Sequence, residues 1–156
     1  AEQNLQLYHQ LSGRAGRTGS PATVYFQTYE NNSKMISEIT NENPDIFLER
    51  ELEIRKKNKL PPYQRFISLI LTGENEKKLE KEAFNFKNFI ENKINGKILG
   101  PVNAPIFRIK KKFRIRLLIR GSKSMKMQNS LAKIIPKYKF FKGIKLSVDV
   151  DPINFN

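Results

Sequence analysis

Between residues 107 and 120, apolar and basic side chains alternate with a period of two. Phe107, Ile109, Phe113, Ile115, Leu117 and Ile119 take the odd positions, and Arg108, Lys110, Lys112, Arg114, Arg116 and Arg120 the even ones. Successive side chains of a strand point to opposite faces, so the pattern describes two paired strands with one apolar and one cationic face. The apolar face must be covered and the cationic face favours solvent or an anion, which restricts the chain to a sheet covered on one side. Cross-strand neighbours share a face. A two-residue turn at 111–112 would set Ile109 against Arg114, so the pattern predicts an odd loop, Lys110-Lys111-Lys112, with Arg108 opposite Arg114. Like charges so placed destabilise a sheet by a few tenths to about 1 kcal/mol per pair. A bound anion or an acidic partner would relieve that repulsion.

The flanking segments supply the cover. Residues 66–72, Phe-Ile-Ser-Leu-Ile-Leu-Thr, read as a strand. Asn75 to Ile94 reads as an amphipathic helix, with Leu79, Ala83, Phe86, Ile90 and Ile94 on one face. Strands at about 104–109 and 113–120 follow, then a helix from Ser124 to Pro136, then a strand from Ile144 to Val150. The order βαββαβ predicts a ferredoxin-like split-βαβ domain of the α/β (α+β) class, two helices on one face of a four-stranded antiparallel sheet. If Ile67, Leu69 and Leu71 point inward, Phe66 falls on the cationic face and could stack on a base.

Upstream the chain changes character. Gln3 to Leu11 fits a short helix, broken by Gly13, Gly16, Gly19 and Pro21, and Ala22 to Tyr29 fits a strand. Two charged helices are expected, over 33–40 and 44–59, ended by Pro61-Pro62 acting as a stiff hinge. The expected divisions are 1–38, a helical linker over 39–63, and a domain over 64–156. Residue 1 is Ala rather than Met, which fits a piece of a longer protein.

Charge narrows the function. The chain carries 29 Lys and Arg against 15 Asp and Glu. Fourteen of those cations lie in residues 97–142, which contain no acid, so the remaining fifteen balance the fifteen acids and the whole surplus sits in one block. Such a block favours a polyanion, most often nucleic acid. An exposed basic ribbon, or a surface neutralised inside the protein by Asp149 or by the helix over 47–55, is the competing reading. The absence of Cys excludes disulfides and Cys-ligated zinc, and the single His9 cannot build a metal site alone. No apolar run reaches membrane-spanning length and no secretory signal is visible, so a cytoplasmic protein without a membrane partner is expected.

The residues Gln10-Leu-Ser-Gly13-Arg14-Ala-Gly16-Arg17 place two arginines after glycines, in a turn able to approach phosphate oxygens. This resembles the last motif of superfamily-two helicases, Gln-x-x-Gly-Arg-x-Gly-Arg. A second set is Glu51-Leu52-x-x-Arg55 running into Pro61-Pro62-Tyr63. Gly100-Pro101, Ala104-Pro105-Ile106, Arg114-x-Arg116-Leu117-Leu118 and Val148-Asp149-Val150-Asp151-Pro152 complete it. The ordered set, from about Glu2 to Pro152, resembles the C-terminal end of the primosomal protein N-prime family of replication-restart helicases.

The resemblance implies an ATP-dependent 3′ to 5′ DNA helicase, to which residues 1–38 would contribute a slice of the second motor lobe. Arg14 and Arg17 would be arginine fingers toward ATP bound by the other lobe, and Gln10 would couple ATP to DNA. It implies ATP and magnesium in the whole enzyme, branched or single-stranded DNA, single-stranded-DNA-binding protein and other primosome proteins as partners. Lys123, Lys126 and Gln128 lie where the family has a basic-x-basic-x-Gln docking pattern for that protein, although Ser124 and Met125 disturb its register. The family's zinc module uses cysteines, which this chain lacks, and the chain has no phosphate loop and no Asp-Glu-x-His magnesium site, so it should bind no nucleotide and be inactive alone. The basic block by itself would equally support a stand-alone, non-catalytic nucleic-acid-binding module. In either case Arg108, Lys110, Lys112, Arg114, Arg116 and Phe66 are the expected contacts.

Overall fold

A computed structural model describes residues 6, 7, 10, 11, 13, 14, 23–25, 27, 29 and 44–152. The expected helix over 33–40 and Arg17 lie outside them. None of the described residues between 22 and 29 forms a strand, where the sequence predicts one. The chain falls into two compact units, Ala1–Lys57 and Asn58–Asn156.

In the first unit, helix α1 spans Pro44–Lys57, with Asp45 in its first turn and Arg55, Lys56 and Lys57 in its last. Acid at the start and base at the end complement the helix dipole. Arg55 Nε donates to Glu51 Oε1 at 3.0 Å, one turn earlier.

The second unit runs β1 (Arg65–Gly73), α2 (Glu76–Glu91), β2 (Lys97–Ile109), β3 (Lys112–Gly121), α3 (Lys126–Ile134), a short 3-10 turn and β4 (Lys145–Val150). Sheet order is β2-β3-β1-β4, and every pair is antiparallel. This is the split-βαβ arrangement read from the element order. Asn75 starts α2 by accepting from the Lys78 N–H at 3.0 Å, satisfying one of the donors that a helix start leaves open. Helix α2 sends Leu79, Ala83, Phe86 and Ile90 into one core with Met127 and Leu131 of α3. Below them lie Ile67, Leu69 and Leu71 of β1 and Ile115, Leu117 and Ile119 of β3. Both helices therefore cover the odd-numbered face of β1 and β3.

Strand β2 begins earlier than the alternation suggests and is irregular. Its register with β3 shifts between Leu99 and Val102 and again between Asn103 and Arg108. At the first shift Gly100 has φ +97°, and a Cβ there would lie 2.8 Å from the Arg116 carbonyl oxygen. The bulge thus demands glycine for both conformation and space. The second shift overturns the expected hairpin. The loop has two residues, not three: Arg108 faces Phe113 and Ile109 faces Lys112. Arg108 does not oppose Arg114. The extra residues of the bulge flip the parity of β2 beyond Asn103, so alternation continuous in sequence is broken in space. Ile109, read as inward, is exposed.

One buried charge went unforeseen. Glu82 lies on the core stripe of α2 at 1% exposure. Its Oε1 accepts from the Phe141 N–H at 3.0 Å. Burial, the Glu82 carboxylate and a hydrogen bond to it together hold the Tyr138 phenol above its usual pKa. The carboxylate thereby ties the segment before β4 to α2, with Tyr138 and Phe140 packed on Phe86 at 5.0 and 4.9 Å between ring centroids. Among the described residues no helix is long and apolar enough to cross a membrane.

Candidate nucleic-acid interface

The face of the sheet opposite α2 and α3 is built from the even residues of β3 and β1. Arg120 stands opposite Phe66, Arg116 opposite Ile70 and Arg114 opposite Thr72. On the other flank Lys97 opposes Arg120 and Val102 opposes Arg116. Asp149 of β4 opposes Ser68, the acid nearest the column in the ladder. Three arginines therefore run down one strand, flanked mainly by neutral side chains rather than by each other. The expected pairing of Arg108 with Arg114 is absent, and the like-charge pair in this column is Lys97 with Arg120.

The face is not uniformly accessible. Phe66 is only 5% exposed, and Ser68 beside it is also buried. The Phe66 ring is therefore not available for stacking on a base, contrary to the sequence reading. Its backbone is clasped at the chain end: Asp151 N donates to Phe66 O at 2.8 Å, and Phe66 N donates to Asp151 Oδ1 at 3.3 Å. A ring of this size is most stable removed from water, whichever face alternation assigns it to.

Exposure rises toward the β2–β3 hairpin. Arg108, Lys110 and Lys111 are exposed, while Lys112, Arg114 and Arg116 are half-buried. Arg108 lies over the Phe113 ring, 5.0 Å from its centroid, and Arg114 Nη1 donates to the Ile106 carbonyl at 3.2 Å. Phe107 also meets Phe113, at 5.3 Å. The tip itself is Lys110-Lys111, with φ +49° and +65°. Both lysines take the left-handed conformation of a tight hairpin turn, where Asn-Gly is most comfortable. Such strain costs on the order of 1 kcal/mol or more per residue. Two adjacent exposed cations in strained positions within an acid-free block are poor for stability and well placed to meet phosphate oxygens.

A second cationic site surrounds the start of α3. Gln128 Oε1 accepts from Arg65 Nη1 at 3.2 Å, and Arg65 Nε pairs with Asp151 Oδ2 at 3.0 Å. Lys123 lines a cavity of about 210 Å³ with Pro61, Pro62, Gln64, Arg65 and Asp151. The fold thus brings Lys123 and Gln128 around Arg65, whereas Lys126 is exposed on the first turn of α3. Arg65 was missed by sequence reading: it lies outside the basic block, and its partner Asp151 is 86 residues away. Only the meeting of β1 with the end of β4 reveals the pair.

In the first unit, Gln10 and Arg14 are both exposed, and Arg14 N donates to Leu11 O at 3.2 Å in the turn that ends a helical segment. Among the described residues no group of three or more His, Cys, Asp or Glu could hold a metal ion.

Comparison with known proteins adds to this geometry. Residues 56–153 match the family model described as the primosomal protein N C-terminal domain. A Rickettsia typhi protein named replication restart protein PriA is 37% identical over 155 residues, covering 99% of this chain and 24% of that protein. Proteins of the same name from Synechocystis and Bacillus subtilis are 33% and 31% identical, over 100% and 97% of this chain and 19% and 20% of theirs. The chain thus spans about a quarter, or less, of the length of these relatives. Its split-βαβ unit lies almost wholly within the matched segment, and the chain belongs to the primosomal protein N C-terminal domain family.

Proposed function

We propose that this chain is part of an ATP-dependent 3′ to 5′ DNA helicase that restarts replication at stalled forks by reloading the primosome. Family membership and the name of the relatives, replication restart protein, support the restart role. The chain's own contribution would be DNA and partner binding by the split-βαβ unit, with the Gly-Arg turn serving ATP held elsewhere in the protein. The residues present do not by themselves fit a nucleotide with magnesium: the sequence has no phosphate loop and no Asp-Glu-x-His magnesium site. Arg14 and Arg17 would supply charge and N–H donors to a phosphate held elsewhere, and Gln10 a hydrogen-bonding amide.

The observation that carries DNA binding is the exposed hairpin, where Arg108, Lys110 and Lys111 project from a block without acids. Contacts of this kind hold phosphates and do not read bases. Replacing Lys110→Asn and Lys111→Gly should stabilise the fold, because the turn is relaxed, and should weaken DNA binding. The slope of log affinity against log salt for single strands should flatten by about 1.4 units, from roughly 0.7 per lost phosphate contact. Adding Arg114→Ala should flatten it further by about 0.7. Unchanged slopes with a raised melting temperature would show that the turn lysines are only a strained loop.

The α3 start is proposed to dock the acidic tail of single-stranded-DNA-binding protein through Lys123, Lys126 and the Arg65–Gln128 pair. Titration with a short acidic-aromatic tail peptide should bind several-fold more weakly to Lys126→Glu. Equal affinity for both proteins would remove this site.

A further inference from the structure

A third cationic feature lies where α2 meets the segment before β4, apart from the hairpin and the start of α3. Among the described residues, a cavity of about 390 Å³ is lined by Lys78 and Lys81 of α2 and by Phe141 and Lys142 before β4. That volume falls in the range of small-ligand clefts, roughly 300–1,000 Å³. Phe141 is 57% exposed, yet its backbone is fixed. Its N–H is held by buried Glu82 at 3.0 Å, and its carbonyl accepts from Ile144 N at 3.1 Å in the turn containing Gly143 at φ +91°. The neighbouring Phe140 ring is committed to the core against Phe86. Glu82 therefore sets which of two consecutive phenylalanines is swallowed and which is presented. A presented ring on an anchored backbone has already lost much of the freedom that binding would cost it.

We infer that this cavity holds one nucleotide of single-stranded DNA, its base stacked on Phe141 and its flanking phosphates held by Lys78, Lys81 and Lys142. The inference rests on the reading of the chain as a DNA-binding protein. The described lining offers an aromatic face and three ammonium groups on apolar stems, and no acid. A stacked base with its phosphates needs only a ring face and positive charge. A peptide would also present a backbone, for which the described side chains offer no acceptor. Glu82 faces the core, 1% exposed and tied to Phe141 N–H and Tyr138, so phosphates would sit at the lysine ends of the rim. Stacking of this kind tolerates any base, in keeping with phosphate contacts that read no sequence.

The test is binding of fluorescent oligo(dT) and of a blunt duplex to the whole chain. Phe141→Ala should lower affinity for oligo(dT) about 5- to 100-fold, with duplex affinity and the salt slope unchanged. Lys78→Ala, Lys81→Ala and Lys142→Ala together should flatten the oligo(dT) salt slope by about two units. Phe141→Trp should bind oligo(dT) at least as well, with its fluorescence quenched by the stacked base. Unquenched tryptophan with unaltered oligo(dT) affinity in Phe141→Ala would overturn the site, while loss of the salt slope on changing Lys110 and Lys111 would leave the broader DNA-binding reading standing. Weakened binding of an acidic peptide, with oligo(dT) affinity unaffected, would overturn it in favour of a protein partner. No DNA binding by the unaltered chain would overturn both readings together.

Discussion

If the proposed helicase role holds, replacing Arg17 with Ala in the full-length protein is expected to lower DNA-stimulated ATP turnover by about 10³-fold or more, while nucleotide affinity changes little. The expectation follows from the Gly13-Arg14-Ala-Gly16-Arg17 spacing and from the proposed role as a finger toward the transferring phosphoryl group. Such an arginine meets charge that develops mainly in the transition state, typically with effects of about 10³–10⁵ in rate. Single-turnover hydrolysis and nucleotide binding, measured side by side, separate the possibilities. Equal losses in both would make Arg17 a ground-state contact and not a finger. Arg14, exposed in the turn after Leu11, should show a smaller effect if only one arginine reaches the phosphate. The 156-residue chain alone should show no ATPase activity at all, with or without DNA.

The second large effect concerns stability. Phe86→Ala should destabilise the split-βαβ unit by about 3–5 kcal/mol, the usual range for deleting a buried aromatic ring. Phe86 is fully buried, and its ring is shared between the α2 core stripe and the Tyr138–Phe140 pair that leads into β4. Losing it opens a cavity at the point where three segments meet. In urea, at a slope of about 1–3 kcal/mol per molar, the midpoint should fall by more than 1 M. Phe84, two residues earlier on the same helix, is mostly exposed and should cost under about 0.5 kcal/mol when changed to Ala. Comparable losses from both would mean that the α2 face is assigned wrongly. Because Glu82 and Tyr138 share this corner, the corner should also weaken in alkali. The Tyr138 phenol is held above its usual pKa by burial and by Glu82. Its contribution is therefore complete below the unfolded tyrosine value and is lost as pH rises through the folded one.

Among the described residues three cationic regions stand out: the hairpin tip, the start of α3 and the rim around Phe141. They stand on different elements, and Arg65, Lys78 and Lys81 lie outside the 97–142 block that carries the net surplus. The hairpin offers charge with strained backbone, the α3 site a guanidinium already oriented by Asp151 and Gln128, and the third a fixed aromatic face. Charge alone attracts any polyanion, and it is the neighbouring groups that distinguish the three.

The sequence by itself determined the architecture. Periodicity two in β1 and β3 and the three-and-four spacing of α2 place Ile67, Leu69, Leu71, Ile115, Leu117, Ile119, Leu79 and Phe86 on their observed faces, because a regular strand or helix converts spacing directly into direction. It also carried the family resemblance, through ordered short motifs. Tertiary structure decided whatever broke regularity or joined distant residues. The β2 bulges moved Arg108 to the side of Phe113, since extra residues reset parity without leaving a mark in the alternation itself. Phe66 became buried because cover depends on what packs across a face, not on the residue's own strand. Arg65 found Asp151 only through sheet closure. Glu82 was placed in the core because a backbone N–H and a phenol satisfy its carboxylate there, compensation that no pattern of polar and apolar letters contains.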